Sequence, residues 1–174
     1  ASPRTSLGFI DRFIVAAESF RIPQVLVFNK ADLLSPEQQS EVGSLIELYE
    51  ALGVKCLLTS ALHDKQTALM EILEGKKTLI SGHSGVGKST LINLLSGSIN
   101  QKTSEISDFS SKGTHTTTFA EMFQLAEKTF IIDTPGIKEL GLVNMEPEEV
   151  SDYFVEMRAL RSSCKFGARC LHLQ

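Results

Sequence analysis

The nine residues Gly82-His83-Ser84-Gly85-Val86-Gly87-Lys88-Ser89-Thr90 leave this chain few choices of fold. They fill every fixed position of the pattern G-x-x-x-x-G-K-[ST]. Three glycines allow the backbone to curl with its N–H groups pointing inward, which makes a nest for an anion. Lys88 brings an ammonium to the β- and γ-phosphates of a nucleotide. Ser89 offers a hydroxyl to Mg²⁺, and the helix that starts there aims its positive end at the same phosphates. The flanks agree with this reading. Lys77-Thr78-Leu79-Ile80-Ser81 has the apolar character of a short buried strand, and Leu91, Ile92, Leu94 and Leu95 give the following helix an inward face.

The chain has 174 residues, a net charge of −4 and 42% hydrophobic content, which suits one globular domain with at most a small appendage. Net acidity gives no global case for nucleic acid. The charge is nevertheless uneven: residues 139–156 hold six acids and no base, whereas 157–174 hold Arg158, Arg161, Lys165 and Arg169 and no acid. Three cysteines, an odd number, do not make a disulfide framework, and no apolar run is long enough for a membrane span. A reducing cytoplasm with no membrane attachment is the expected setting.

Along the chain, Leu7, Ile10, Phe13, Ile14, Ala17 and Phe20 recur at helical spacing, and Val25–Phe28 follows as an uninterrupted apolar strand. At the carboxyl end of that strand, where open α/β sheets bind ligands, stands Asn29-Lys30-Ala31-Asp32. N-K-x-D is the guanine-reading motif of GTPases. The Asp32 carboxylate can accept two hydrogen bonds from the N1–H and 2-amino edge that guanine has and adenine lacks. Asn29 can serve the O6/N7 side, and the stem of Lys30 can lie over the ring. Ser35, Pro36 and Gln38 form a capping box for a helix with Val42, Leu45, Ile46, Tyr49 and Leu52 inward. The next strand, Val54–Leu58, ends in Thr59-Ser60-Ala61. A Ser60-Ala61 pair there is a second guanine contact, in which a backbone N–H meets O6. Cys56, inside the strand, belongs to the core.

Gln101–Thr118 is polar and long for a connection within a domain, a property of functional loops. Phe119–Leu125 and Thr129–Ile132 form a hairpin around Ala126-Glu127-Lys128. Its second strand delivers Asp133-Thr134-Pro135-Gly136. D-x-x-G after an apolar strand senses Mg²⁺ through Asp133 and the γ-phosphate through the Gly136 N–H. Pro147 opens a last helix with Val150, Tyr153, Phe154, Met157 and Leu160 inward.

The order of these motifs is informative: N-K-x-D and S-A precede the phosphate loop and D-x-x-G, the reverse of ordinary GTPases. Such a cut preserves the site, because termini in these folds lie on the surface. The order resembles that of the circularly permuted GTPases. Ser2-Pro3-Arg4-Thr5, the Gly113-x-His115-Thr116-Thr117-Thr118 segment and the terminal C-x₅-C-x-H are similar to one branch, the bacterial small-ribosomal-subunit biogenesis GTPases of the RsgA (YjeQ) family. The resemblance implies an α/β, circularly permuted P-loop GTPase fold with a central, mostly parallel sheet flanked by helices. That domain is expected over 1–143, and 144–174 begins a C-terminal helical zinc-binding domain. The family adds an N-terminal OB-fold, for which this chain shows no β-rich stretch, and its zinc motif here ends before a fourth ligand. The chain is therefore expected to be a fragment.

The resemblance further implies GTP and GDP as ligands, the small ribosomal subunit and its rRNA as partners, and release on GTP hydrolysis. The alternative is a nucleotide-gated binding module with negligible turnover, since Ile137 occupies the place of the water-orienting glutamine that follows D-x-x-G in many GTPases. Thr117 is the favoured completion of the Mg²⁺ shell with Ser89 and Asp133, ahead of Thr116 and Thr118. His115 either points at the attacking water or packs locally or against RNA. Cys164, Cys170 and His172 are expected zinc ligands, and the four basic residues around them either meet rRNA phosphates or form a solvated helix end. A monomer is expected. One strand of the sheet is expected to lie upstream of Ala1, between the strands ending at Phe28 and Ser81, so those two should not pair directly.

Overall fold

In a computed structural model the protein is described over residues 5–61, 67–100, 120–135, 140–142 and 145–165, without the side chains of 98–100. The elements run α1 (Leu7–Ser19), β1 (Val25–Phe28), α2 (Pro36–Ala51), β2 (Lys55–Leu58), α3 (Thr67–Leu73), β3 (Lys77–Ile80), α4 (Lys88–Asn100), β4 (Glu121–Ala126), β5 (Thr129–Asp133), α5 (Pro147–Tyr153) and α6 (Val155–Leu160). Short 3₁₀ turns cover Ala31–Leu33 and Arg161–Ser163. The described residues fall into two compact units, one from Val27–Val42 and Leu57–Lys138, the other from Thr5–Leu26, Gly43–Cys56 and Glu139–Gln174.

The first unit carries the motifs. β3 runs parallel to β5, with Ile80 opposite Asp133 at the end of the ladder, and β4 joins β5 as the expected hairpin. Lys128 takes a left-handed conformation (φ 61°) in its turn. β1 pairs with β2 in a separate two-stranded sheet, so among the described residues β1 and β3 are not hydrogen-bonded neighbours. That agrees with the expected gap. The core of this unit joins Leu69 and Leu73 of α3, Leu91, Ile92 and Leu95 of α4, Leu125 of β4 and Ile131 of β5. The stripe anticipated on α4 is thus the one that is buried. At roughly 25 cal/mol per Å², burial of such side chains is worth about 1.5–3 kcal/mol each.

The second unit departs from the sequence pattern in two places. On α1 the buried residues are Phe9, Ile14 and Val15, whereas Leu7 is exposed and Phe20 is 76% exposed. The cause is where the helix is cut. Ser6 caps it by accepting from the Phe9 N–H at 3.3 Å, and Phe20 is already the residue beyond the last turn, so its side chain leaves the stripe. The single C-terminal helix expected from Pro147 is two helices. Phe154 is extended (φ −84°, ψ 116°) and begins α6, which leaves Met157 exposed and Leu160 68% exposed rather than inward. No glycine or proline marks that break. At the break Phe154 lines a small cavity with Ile14, Tyr49, Leu52 and Val54. Tyr49 is buried and donates its hydroxyl to Asp11 at 2.9 Å. Arg158 pairs with Glu18 at 3.5 Å and Arg161 with Asp152.

Candidate functional site: a base-reading loop tied to a phosphate loop

The phosphate loop forms where three glycines permit it. Gly82, Gly85 and Gly87 have φ of 154°, 82° and 97°, conformations that residues with a Cβ rarely adopt. At Gly87 there is a second reason: a Cβ there would lie 2.4 Å from Asn29 Nδ2. Lys88 opens α4 and folds back over the loop, donating to the carbonyls of Gly82 at 2.8 Å and His83 at 3.1 Å. Burial pushes its ammonium below the usual lysine range, with the Asp133 carboxylate acting in the opposite direction. Ser89 and Thr90 follow on the exposed first turn of the helix.

The Asn29-Lys30-Ala31-Asp32 loop leaves β1 through Lys30, in left-handed conformation (φ 66°), into the turn at Ala31–Leu33. Two of its three signature residues, Asn29 and Lys30, reach the phosphate loop. Asn29 Nδ2 donates to the Val86 carbonyl at 3.1 Å, and Lys30 Nζ to that of Gly85 at 2.7 Å. Asn29 Oδ1 accepts from the Ala61 N–H at 3.1 Å and from the Thr59 hydroxyl at 3.4 Å. One amide therefore knits three loops together. The Lys30 side chain spans from its own loop to the phosphate loop.

One residue and one role escaped the sequence reading. Ser60 is expected to matter through its place in the S-A pair, and its hydroxyl also donates to Asp32 Oδ1 at 2.5 Å and so orients that carboxylate. Thr59, Ser60 and Ala61 are all buried, and the Ala31 N–H donates to the Thr59 carbonyl at 3.0 Å. Thr134 donates its hydroxyl to the Ile80 carbonyl at 2.8 Å, joining the exit of β5 to the exit of β3. The only sequence signal is a hydroxyl residue next to Asp133 for Thr134 and a place in the Ser60-Ala61 pair for Ser60. Asp133 is 6% exposed at the end of β5. A buried carboxylate and a first-turn serine hydroxyl are hard oxygen donors of the kind Mg²⁺ prefers, so this donor set fits the cation.

His115, Thr116, Thr117, Thr118, Gly136, Ile137, Cys170 and His172 lie outside the described residues. Of the expected zinc ligands Cys164 is described, half-buried after the turn at Arg161–Ser163, and Cys56 is buried in β2 as expected. Arg158 and Arg161 are each engaged by an acid, so an RNA phosphate meeting them would have to displace Glu18 or Asp152. Among the described residues, no helix is long and apolar enough to cross a membrane.

Comparison with known proteins agrees with this geometry. The family model described as RsgA GTPase matches residues 1–143. The chain is 48% identical over 172 residues to the small ribosomal subunit biogenesis GTPase RsgA of Flavobacterium johnsoniae, covering 98% of this chain and 53% of that protein. It is 52% identical over 173 residues to the protein of the same name from Cytophaga hutchinsonii, covering 98% and 55%. It thus spans about half the length of the curated relatives it matches. Among solved structures, YjeQ from Thermotoga maritima superimposes with a TM-score of 0.76 at 32% identity, over 99% of this chain and 56% of that one. YloQ, described as a circularly permuted GTPase, gives 0.73 at 28% identity, over 100% and 54%. The fold is that of the circularly permuted GTPases, and the chain belongs to the RsgA GTPase family.

Proposed function

We propose that the protein carrying this chain binds GTP and hydrolyses it with Mg²⁺, timing a late step in maturation of the small ribosomal subunit. The observation that carries this reading is the pair of bonds from Asn29 to Val86 and from Lys30 to Gly85. They bring a guanine-selective carboxylate and an anion nest into one continuous surface. A phosphate-binding protein indifferent to the base has no use for that arrangement. The nucleotide is held by Asn29, Lys30, Ala31, Asp32, Ser60, Ala61, the loop Gly82–Thr90 and the Gly136 N–H.

Ser89, Thr117 and Asp133 hold the cation, which when bound neutralises charge on the β- and γ-phosphates. Lys88 adds a second positive charge there. Hydrolysis then needs a polar group to orient water, and Ile137 offers none. His115 takes that part, on a segment that the ribosomal subunit fixes, so intrinsic turnover is slow and stimulated turnover fast. Residues 1–143 form the GTPase domain and 144–174 the start of a helical domain in which Cys164, Cys170 and His172 bind zinc. The protein works as a cytoplasmic monomer, and the basic C-terminal stretch meets rRNA. Ile137 favours one other reading, a nucleotide-gated ribosome-binding module without useful turnover.

Two measurements on the full-length protein decide the matter. Titration with GTP, GDP and ATP is expected to show guanine preference by a wide margin; ATP binding within a fewfold of GTP overturns the proposal. Multiple-turnover phosphate release is expected to rise on adding small subunits and to collapse in His115→Ala with GTP affinity kept. Guanine binding with no release, subunits present or absent, establishes the gated module instead.

A further inference from the structure

The parallel ladder of β3 and β5 ends where the two halves of the phosphate site begin. Ile80 and Asp133 are its last paired residues. Beyond Ile80 the chain enters the phosphate loop within two residues, and beyond Asp133 it leaves through Thr134 and Pro135. A half-buried carbonyl at the end of a ladder is costly if left without a partner. Here the Thr134 hydroxyl donates to the Ile80 carbonyl at 2.8 Å. The bond extends the tie between the two strands one residue beyond their last pair. It also ties the residue after Asp133 to the residue two before Gly82.

We propose that Thr134 is a positioning residue for cation-dependent nucleotide binding: its bond to Ile80 sets where the Asp133 carboxylate stands relative to the phosphate loop. The inference rests on the GTP-binding reading above. Asp133 is the last residue of β5, paired with Ile80 on one side and Glu121 on the other, and the Thr134 bond fixes the chain one residue beyond those pairs. The Asp133 carboxylate is close enough for its charge to act on Lys88. Loss of the Thr134 bond would loosen the exit of β5 and let the Asp133 carboxylate shift relative to Lys88, without altering the nest or the Asn29–Asp32 loop. Cation-independent binding therefore survives the loss of this bond, and the cation's contribution does not.

The test compares wild type, Thr134→Val and Thr134→Ser in the full-length protein, by titrating GDP and GTP in magnesium and again in EDTA. Valine keeps the shape and removes the donor; serine keeps the donor. Wild type is expected to bind more tightly in magnesium. Thr134→Val should lose about tenfold of that enhancement, the scale expected when one buried hydrogen bond is removed. Its affinity in EDTA should stay within about threefold of wild type, and Thr134→Ser should restore the enhancement. Full magnesium enhancement in Thr134→Val overturns the proposal. So does an equal loss with and without magnesium, which marks a merely structural hydroxyl, and so does a Thr134→Ser variant no better than valine. Wild type that ignores guanine nucleotides altogether defeats the GTP-binding reading rather than this one.

Discussion

The nucleotide loops and the α5–α6 region are both fastened by polar side chains, and they are fastened in different ways. In the loops Asn29, Lys30, Lys88 and Thr134 each donate to a backbone carbonyl, and the buried Ser60 donates to the carboxylate of the exposed Asp32. Around α6 the fasteners are ion pairs between side chains, Arg158 with Glu18 and Arg161 with Asp152, at sites that water partly reaches. Breaking a bond of the first kind costs about 1–3 kcal/mol where the carbonyl is half-buried, and less at the exposed Gly85 and Asp32, which water reaches. Breaking an ion pair of the second kind returns two ions to solvent, at a cost of about 0–1 kcal/mol. The motif loops are thus tied to one another by directional bonds to backbone, and in the helical region charge is a minor addition.

The sharpest way to break this contrast is Gly87→Ala. The new methyl must enter the space of Asn29 Nδ2, at a backbone angle that alanine rarely adopts. Strain and lost contact of about 2–3 kcal/mol predict a fall of about a hundredfold in GTP affinity, read by titration. Affinity within a fewfold of wild type would mean the loops are not coupled through Asn29.

Next in size is Ser60→Ala. Losing the hydroxyl that orients Asp32 should cost about tenfold in the preference for guanine over adenine nucleotides, with the phosphate loop unaffected. Competition between GTP and ATP reads it, and unchanged preference would make Ser60 a packing residue only.

In the second unit the corresponding probe is Tyr49→Phe. Removing its bond to Asp11 should lower stability by about 1 kcal/mol, seen in denaturant unfolding. Burial first, and then that bond, push the phenol above the usual tyrosine range. A raised folded pKa means stability is fully present below the unfolded value of about 10 and falls as pH rises beyond it. Wild type should therefore lose stability above about pH 10, and the phenylalanine variant should show less of that loss. Equal alkaline loss in both proteins would clear Tyr49.

The smallest effect belongs to Arg158→Ala. Its pair with Glu18 is half-exposed, so the change in stability should be under about 1 kcal/mol and should shrink further at high salt. A loss as large as that of Tyr49→Phe, insensitive to salt, would erase the distinction between the two regions.

What could be read in advance follows the same division. The phosphate loop was legible because its chemistry is local: three glycines, a lysine and a serine within nine residues dictate the nest and the first turn of α4. The permuted order was legible because motifs keep their identity wherever the chain is cut. The capping box at Ser35 and Gln38 is likewise present as read, with Gln38 N–H donating to Ser35 Oγ at 3.3 Å and Ser35 N–H to Gln38 Oε1 at 3.1 Å.

The tertiary structure decided the rest. Helical periodicity ran through Phe154 without interruption, but the break falls where Phe154 borders a cavity lined by Ile14, Tyr49, Leu52 and Val54, residues about 100 to 140 positions away in sequence. Periodicity also misplaced the inward face of α1, since a stripe of apolar residues does not say which of its ends the cap and the last turn will exclude. The roles of Ser60 and Thr134 were invisible for the same reason. A hydroxyl declares that it can donate, and only the approach of Asp32 or Ile80 in space decides to whom. By itself the sequence determined the chemistry available at each loop, because backbone freedom and functional groups are properties of residues. Which loops share that chemistry was settled by packing, because hydrogen bonds are made at about 3 Å whatever the separation along the chain.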